Sequence, residues 1–472
     1  MNYTSYKDLP PLAGLTDFEG ASKPGLSVAE CVRRHKRYHY AFKRLHEIFT
    51  ARLIAEPIYE LKMAFSLHSH YCAEHAAALR ARVGEMREPP LGLDATPHAA
   101  LELLFDEIRN APDTASLLLG LYEVALPALK QALEQHSSDT NPLVDAPSNR
   151  ILKFARLEID EMFTYGTIAI GQLVDSSDRE VHQEWLALLN NALASAGNLN
   201  GTAPESADEL TRLHSAKSNY DSKPARDDRF PDPYNMGVNA EVFLYDEAMP
   251  VKAKTLMMYY KRLREIDVPE MMASIIVETP GKPWNYYVDM TRQLWDEARH
   301  AMMGEVGFVN AGVDWPRHVM INFTWSLALN EQLTPMERHA VLYFIEQGLM
   351  PKTGKRYEWE VGKESGDPLS ALFQDYDWAD EVLHARIGRD WYVPNFDDSK
   401  QSIKYGDECW SKVLLNWSAW KENGHTEHRN WWPDCYRDAC KTWKVEPDEK
   451  VLAFSETYEQ VRADLKDLSA SG

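Results

Sequence analysis

Apolar residues recur at intervals of three and four along most of this chain, and the sustained alternation that a half-buried strand requires is scarce. The pattern predicts an all-α protein. Two helical stretches are expected between Ser27 and Met86, closed by the Pro/Gly-rich break from Glu88 to Leu93. Further helices are expected at Ala99–Asn110, Thr114–His136, Ser148–Val174 and Arg179–Ala196. The stretch from Ala196 to Gly237 is rich in Gly, Ser, Asn, Asp and Pro and reads as a long linker or wrapping segment. Helical periodicity resumes near Pro250, breaks at Pro280-Gly281-Lys282-Pro283, runs on through Gly307, and returns at His318–Leu349 and Pro368–Arg389. Thr334-Pro335-Met336-Glu337 has the form of a helix start, so a kink or restart is expected there. From Trp391 to Gly472 the chain is Trp-rich and then charged, which predicts a packed tail with a terminal helix over Glu446–Leu468.

With 472 residues the chain is too long for one ordinary core. The segments above divide it into residues 1–195, a linker or wrapping segment 196–240, residues 241–392 and a mostly helical C-terminal extension 393–472. An internal repeat relates the two main parts. Lys43-Arg44-Leu45-His46-Glu47-Ile48 mirrors Lys261-Arg262-Leu263-Arg264-Glu265-Ile266. Glu123 and Pro127 mirror Glu331 and Pro335, His75 mirrors His300, and Asp160-Glu161 mirrors Asp380-Glu381. The four matches are collinear and each spans a little over two hundred residues, which points to a duplication.

Composition narrows the function classes. A net charge of −21 repels phosphate backbones and argues against nucleic acid as a partner. No apolar run approaches a membrane span, and Met1 to Pro11 lacks the basic and apolar regions of a signal peptide. Five cysteines (Cys31, Cys72, Cys409, Cys435 and Cys440) imply no disulfide framework, so a cytoplasmic location is expected. His425, His428, Cys435 and Cys440 invite a zinc reading, but their spacing fits no common finger.

The candidate chemistry lies in the second half. Asp296-Glu297-Ala298-Arg299-His300 and Asp380-Glu381-Val382-Leu383-His384 each carry a Glu-x-x-His, which sets a carboxylate and an imidazole one turn apart on one helix face. Two such helices, with one Glu from each of two others, make the ligand set of a carboxylate-bridged dinuclear metal site. Glu265 is the expected first-helix ligand because an antiparallel helix pair brings it level with Glu297, and because Glu47 repeats it; Glu270 is its rival. Glu331 is the expected third-helix ligand, since it has a repeat counterpart, whereas Glu337 fits a capping box. The predicted metal ligands are therefore Glu265, Glu297, His300, Glu331, Glu381 and His384. Hard oxygen donors with two imidazoles favour iron or manganese. Tyr259, Tyr260, Trp295, Tyr376 and Trp378 flank the motifs and are expected to be core packing.

Through Glu265, Asp296 to His300, Glu331 and Asp380 to His384, residues 245 to 390 resemble the ferritin-like superfamily of di-iron and di-manganese carboxylate proteins, with a weaker echo in residues 30 to 175. The resemblance implies two tandem ferritin-like four-helix bundles. In the first, Cys72 stands where Glu297 does and Thr164 where His384 does, so Glu47, His75, Glu123 and Glu161 form a degenerate set. The resemblance further implies a dinuclear Fe or Mn centre that activates O2 and oxidises a small organic substrate. A non-catalytic metal-binding or scaffold protein is the alternative, and a homodimer is compatible with either.

Overall fold

In the computed structural model the apolar stripes fold as helices, and among the described residues the only β feature is an isolated bridge between Val238 and Thr457. The structure describes residues 4–87, 92–206, 210–218, 220–232, 235, 237–321, 324–351, 354–414, 419, 422–424 and 429–458. No helix among them is long and apolar enough to cross a membrane. The chain divides into two compact units, Met1–Phe49 with His68–Tyr220, and Thr50–Leu67 with Asp221–Gly472. The boundary at Tyr220 falls within the expected linker, and residues 50–67 belong with the second half rather than the first.

The first unit is built from α1 (Val28–Ala55, to Phe49), α2 (Tyr59–Glu85, from His68), α3 (Ala99–Arg109), α4 (Leu126–Asp139), α5 (Ala146–Leu173) and α6 (Gln183–Ser195). Capping follows the sequence: Asp113 and Ser116 form a reciprocal capping box, and Pro127 and Pro147 sit in the first turns of α4 and α5. The helix expected over Thr114–His136 is continuous in direction but passes through a π-helical stretch, Leu119–Ala125. There Tyr122 is buried and shares a 2.8 Å hydrogen bond with Nδ1 of His68, while Glu123 faces out to Arg179 at 2.7 Å. The expected linker is tied down within this unit. Buried Glu107 accepts from the backbone amides of Leu213, His214 and Ser215 and from the Trp185 indole.

The second unit contains α7 (Val251–Arg264), α8 (Asp267–Glu278), α9 (Trp284–Asn310), α10 (Thr324–Gln332), α11 (Pro335–Gly348), α12 (Lys355–Glu364), α13 (Pro368–Trp391), α14 (Ser399–Leu414) and α15 (Trp432–Trp443). Helices α8, α9, α13 and α11 pack each against the next and the last against the first, with α7 lying along α9. The predicted restart is present, with Thr334 and Glu337 in a complete capping box at the head of α11. The Trp-rich extension is part of this unit's core. Trp431 and Trp432 are fully buried, against Tyr260 and Phe243 at ring separations of 4.6 and 4.9 Å. Aromatic rings of that size bury roughly 150–250 Å² each, which binds the extension firmly. Cys435 and Cys440 are buried free thiols on α15, and His425 and His428 lie outside the described residues. The expected terminal helix appears only as a short turn of helix, Glu449–Leu452, and residues 459–468 of it lie outside the described residues.

Candidate metal centre

Pro269 sets the first corner of the site. A proline ring clashes with the helical carbonyl four residues earlier, and here that residue is Glu265. Helix α7 stops at Arg264, Glu265 becomes its C-cap, and α8 restarts at Asp267. In the sequence, Val268-Pro269-Glu270 marks this new turn, and it is the basis on which Glu270 rivals Glu265. Close backbone approach sets the second corner. A Cβ on Gly304 of α9 would lie 2.2 Å from the Leu263 amide nitrogen and 2.6 Å from the Tyr259 carbonyl oxygen, so only glycine lets α7 approach α9 this closely.

This approach brings Glu265 to the Glu-x-x-His face of α9. Nδ1 of His300 lies 3.4 Å from Glu265, 3.5 Å from Glu297 and 3.5 Å from Asp377. The second Glu-x-x-His faces it from α13. Nδ1 of His384 lies 3.1 Å from Glu297, 3.5 Å from Glu381 and 3.9 Å from Glu346. Glu297 thus offers one oxygen to each imidazole. Two groups of donors result, Glu265, His300, Asp377 and Glu381 in one and Glu297, Glu346, Glu381 and His384 in the other, each with its ligand atoms within 4.8 Å of one another. Glu381 belongs to both.

Five of the six predicted ligands therefore meet, and the sixth does not. Glu331 is exposed on α10, with Lys223 3.9 Å away, and Glu346 of α11 supplies the carboxylate expected from it. The rivals are also placed. Glu270 is fully buried but is held by Arg226 at 2.9 Å, Lys62 at 3.0 Å and the Ser326 hydroxyl at 2.6 Å. Glu337 is taken up by its capping box. Two carboxylates of the site, Asp377 and Glu346, lie outside the predicted set. Asp377 precedes Glu381 by one turn on the same helix, and Glu346 is the single carboxylate after the apolar run Ala340 to Ile345. Both signals were present in the sequence.

An outer layer orients the imidazoles. Nε2 of His300 is 3.1 Å from Asp380, and Nε2 of His384 is 3.3 Å from Asp296, so each motif's aspartate serves the histidine of the other. Arg292 and Arg299 hold Asp296, and Arg299 also reaches Asp380 at 2.8 Å. A carboxylate on the far ring nitrogen fixes the tautomer and leaves Nδ1 as the inward donor, which is the usual support of a metal-binding histidine. Inside, Oε2 of Glu265, Glu346 and Glu381 and Nδ1 of both histidines are buried without a hydrogen-bond partner. Buried polar atoms are normally paired, so inward-facing carboxylate oxygens without a partner, beside two imidazoles that can release a proton on binding, fit a cation.

Two cations of the protein itself enter the site. Lys355, fully buried at the head of α12, lies 2.9 Å from Asp377, 2.9 Å from Glu381 and 3.8 Å from Glu265. Arg262 is 2.9 Å from Glu265 and also bonds Asp377. Carboxylates still outnumber these cations. Burial disfavours charge on His300, yet Asp380, Glu265 and Glu297 push its imidazole up to about 10. Burial, then the charges of Glu381 and Glu297, raise Glu346 well above the carboxylate range. Burial opposes charge on Glu381 too, but Lys355 beside it outweighs that and holds it low.

A half-open cavity of about 120 Å³ adjoins the donors; Glu265, Glu297, Glu346 and Glu381 line it together with Val268, Met271, Leu342, Ile345 and Leu349 and with the charged Glu241, Lys261, Arg262, Arg264 and Asp267. Its volume is close to that of a cavity that holds benzene, so it admits a compact molecule. The flanking aromatics mostly pack. Tyr259 donates to Asp367, Tyr260 rests on Trp431, Trp378 lies beside Trp359, and Tyr376 is exposed.

The repeat positions of the first unit are not brought together. Glu47 pairs with Arg44 at 3.1 Å, His75 with Glu158 at 2.5 Å, and Glu123 with Arg179, while Glu161 is exposed and Cys72 is wholly buried. Comparison of the chain with protein-family models, with curated proteins and with solved structures gives no match in any of the three.

Proposed function

We propose that the second unit is a ferritin-like metal-carboxylate centre for iron or manganese, and that the chain is an oxidoreductase that uses O2 to oxidise a small organic molecule. The observation that carries the reading is the donor arrangement: one Glu from each of α7 and α11 and a Glu-x-x-His from each of α9 and α13, converging with unpaired atoms inward. That is the ligand pattern of di-metal four-helix bundles. Glu265, Glu297, His300, Glu346, Glu381 and His384 would hold the metal, with Asp377 beside them. A redox-active ion there would relay electrons from the organic molecule to dioxygen. The chain's own contribution is to hold the donors rigid through Asp296 and Asp380, and to seat the substrate against Val268, Met271, Leu342 and Ile345.

The non-catalytic alternative draws on the buried pairing of Lys355 and Arg262 with the carboxylates, which would suit a charge network kept for structure. Metal analysis and oxygen consumption of iron-loaded protein separate the two. Metal-dependent oxygen uptake, lost in Glu297→Ala and His384→Ala, supports the enzyme. A metal that raises the melting temperature without any oxygen uptake supports the scaffold. Protein that binds no transition metal, or binds it equally well in both variants, rules out the centre.

A further inference from the structure

The two donor groups that share Glu381 are not equivalent. Among the described residues neither Glu297 nor Glu346 makes an ion pair with lysine or arginine; their charged neighbours are His300 and His384. The group of Glu265, Asp377 and Glu381 is different, because Lys355 and Arg262 already bond its oxygens. Lys355 is wholly buried, and its ammonium contacts the same three carboxylates that a metal ion at that position would use. It enters from the first residue of α12, directly after the N-cap Gly354.

We infer that Lys355 stands in for a second metal ion, so that the chain holds one divalent cation tightly, at Glu297, Glu346, Glu381 and His384, and binds a second only after the ammonium has left. This rests on the metal-centre reading above and departs from the dinuclear expectation. Driving out an ammonium paired to three buried carboxylates breaks those ion pairs, and any charge that stays nearby repels the entering ion, which places the second affinity roughly 100-fold below the first. Arg262 adds to that repulsion from the α7 side. Glu381 keeps its place in both arrangements, with one oxygen towards Lys355 and the other towards His384.

The test uses the full chain, stripped with a chelator, reloaded anaerobically with Mn(II) and freed of excess by gel filtration. Elemental analysis is expected to give one Mn per chain, and its paramagnetic resonance spectrum that of an isolated ion. Lys355→Met should move towards two ions per chain with an exchange-broadened spectrum, and Lys355→Arg should stay at one. Glu265→Gln should retain one ion, whereas Glu346→Gln should lose it; this pair leaves Lys355 untouched and applies even if Lys355→Met does not fold. Two equally tight ions in the wild type, loss of the single ion in Glu265→Gln, or one ion in folded Lys355→Met overturns the inference while leaving the metal centre standing. No ion in wild type or in any folded variant removes the metal centre itself.

Discussion

Asp296 Oδ2 lies 3.3 Å from Nε2 of His384, across from α9 to α13, while Nδ1 of the same ring faces Glu297 and Glu381. The two-helix motif is thus cross-braced, since Asp380 returns the same contact to His300. The bracing explains why each motif needs an aspartate directly before its Glu. One carboxylate of the pair faces inward, and its neighbour turns to the histidine on the other helix.

Asp296→Asn keeps the shape but removes the negative acceptor from His384. Metal affinity should fall by about 10–100-fold, the usual cost of losing an outer carboxylate on a ligand histidine. Competition with a chromophoric chelator measures it. Unchanged affinity would show that His384 is not oriented through Asp296.

The placement of Glu346 against Glu331 gives a clean contrast. Glu346 is buried among the donors, with Gln293 donating to its other oxygen at 3.0 Å, and Glu331 is exposed. Glu346→Gln should abolish tight metal binding, while Glu331→Gln should leave binding and melting temperature within experimental error, as surface substitutions generally do. Elemental analysis of both reloaded variants decides it. Retention of metal in the first and loss in the second would return the third-helix ligand to α10.

The repeat points to Glu331 for a physical reason. Its repeat partner Glu123 sits in a π-helical stretch that turns Tyr122 inward and leaves Glu123 to Arg179, so the first half is a poor template for which face points in. Burial among apolar neighbours was the better signal and marked Glu346. Helices, the capping box at Thr334 and both Glu-x-x-His faces were legible because each rests on local spacing. The break at Glu265 is also local: Val268-Pro269-Glu270 marks the start of a new turn, and the structure restarts the helix at Asp267. Lys355 was not legible. A lysine after Pro351 and Gly354 reads as solvated loop, and only the tertiary fold brings it under Asp377 and Glu381.

Gly304 connects packing to the site. An alanine methyl there would meet backbone atoms of Leu263 and Tyr259, which no rotamer change can clear, so α7 must shift away from α9 and carry Glu265 with it. Gly304→Ala should destabilise the chain by about 1–3 kcal/mol, the usual range for overpacking, and weaken metal binding as well. Gly171→Ala, with nothing within 4 Å of the added methyl, is the control and should be neutral or slightly stabilising. Thermal unfolding of both variants checks it. Equal melting temperatures would mean that α7 and α9 have room to spare.

The first unit should weaken in acid through its buried neutral histidines. His68 is buried against Tyr122, Phe49 and Tyr165, and burial alone lowers its imidazole from 6.5 to about 3. His46 is lowered to about 4, chiefly by burial, with Nδ1 3.1 Å from the Ser69 hydroxyl. A group whose pKa is depressed by folding contributes stability that is intact above its unfolded value. Here that contribution is lost as pH falls from 6.5 towards 3, because the unfolded chain takes up the proton first. Each such histidine removes up to about 1.4 kcal/mol per pH unit within that window. His68→Asn keeps a polar partner for the Tyr122 hydroxyl but cannot titrate there. Its loss of stability between pH 6.5 and 4.5 should be smaller than the wild type's by that one histidine's share. Hydrogen exchange of peptides from α2, followed across the pH series after correction for intrinsic rates, reads this locally. Identical pH slopes in the variant and the wild type would show that His68 is not held neutral by burial.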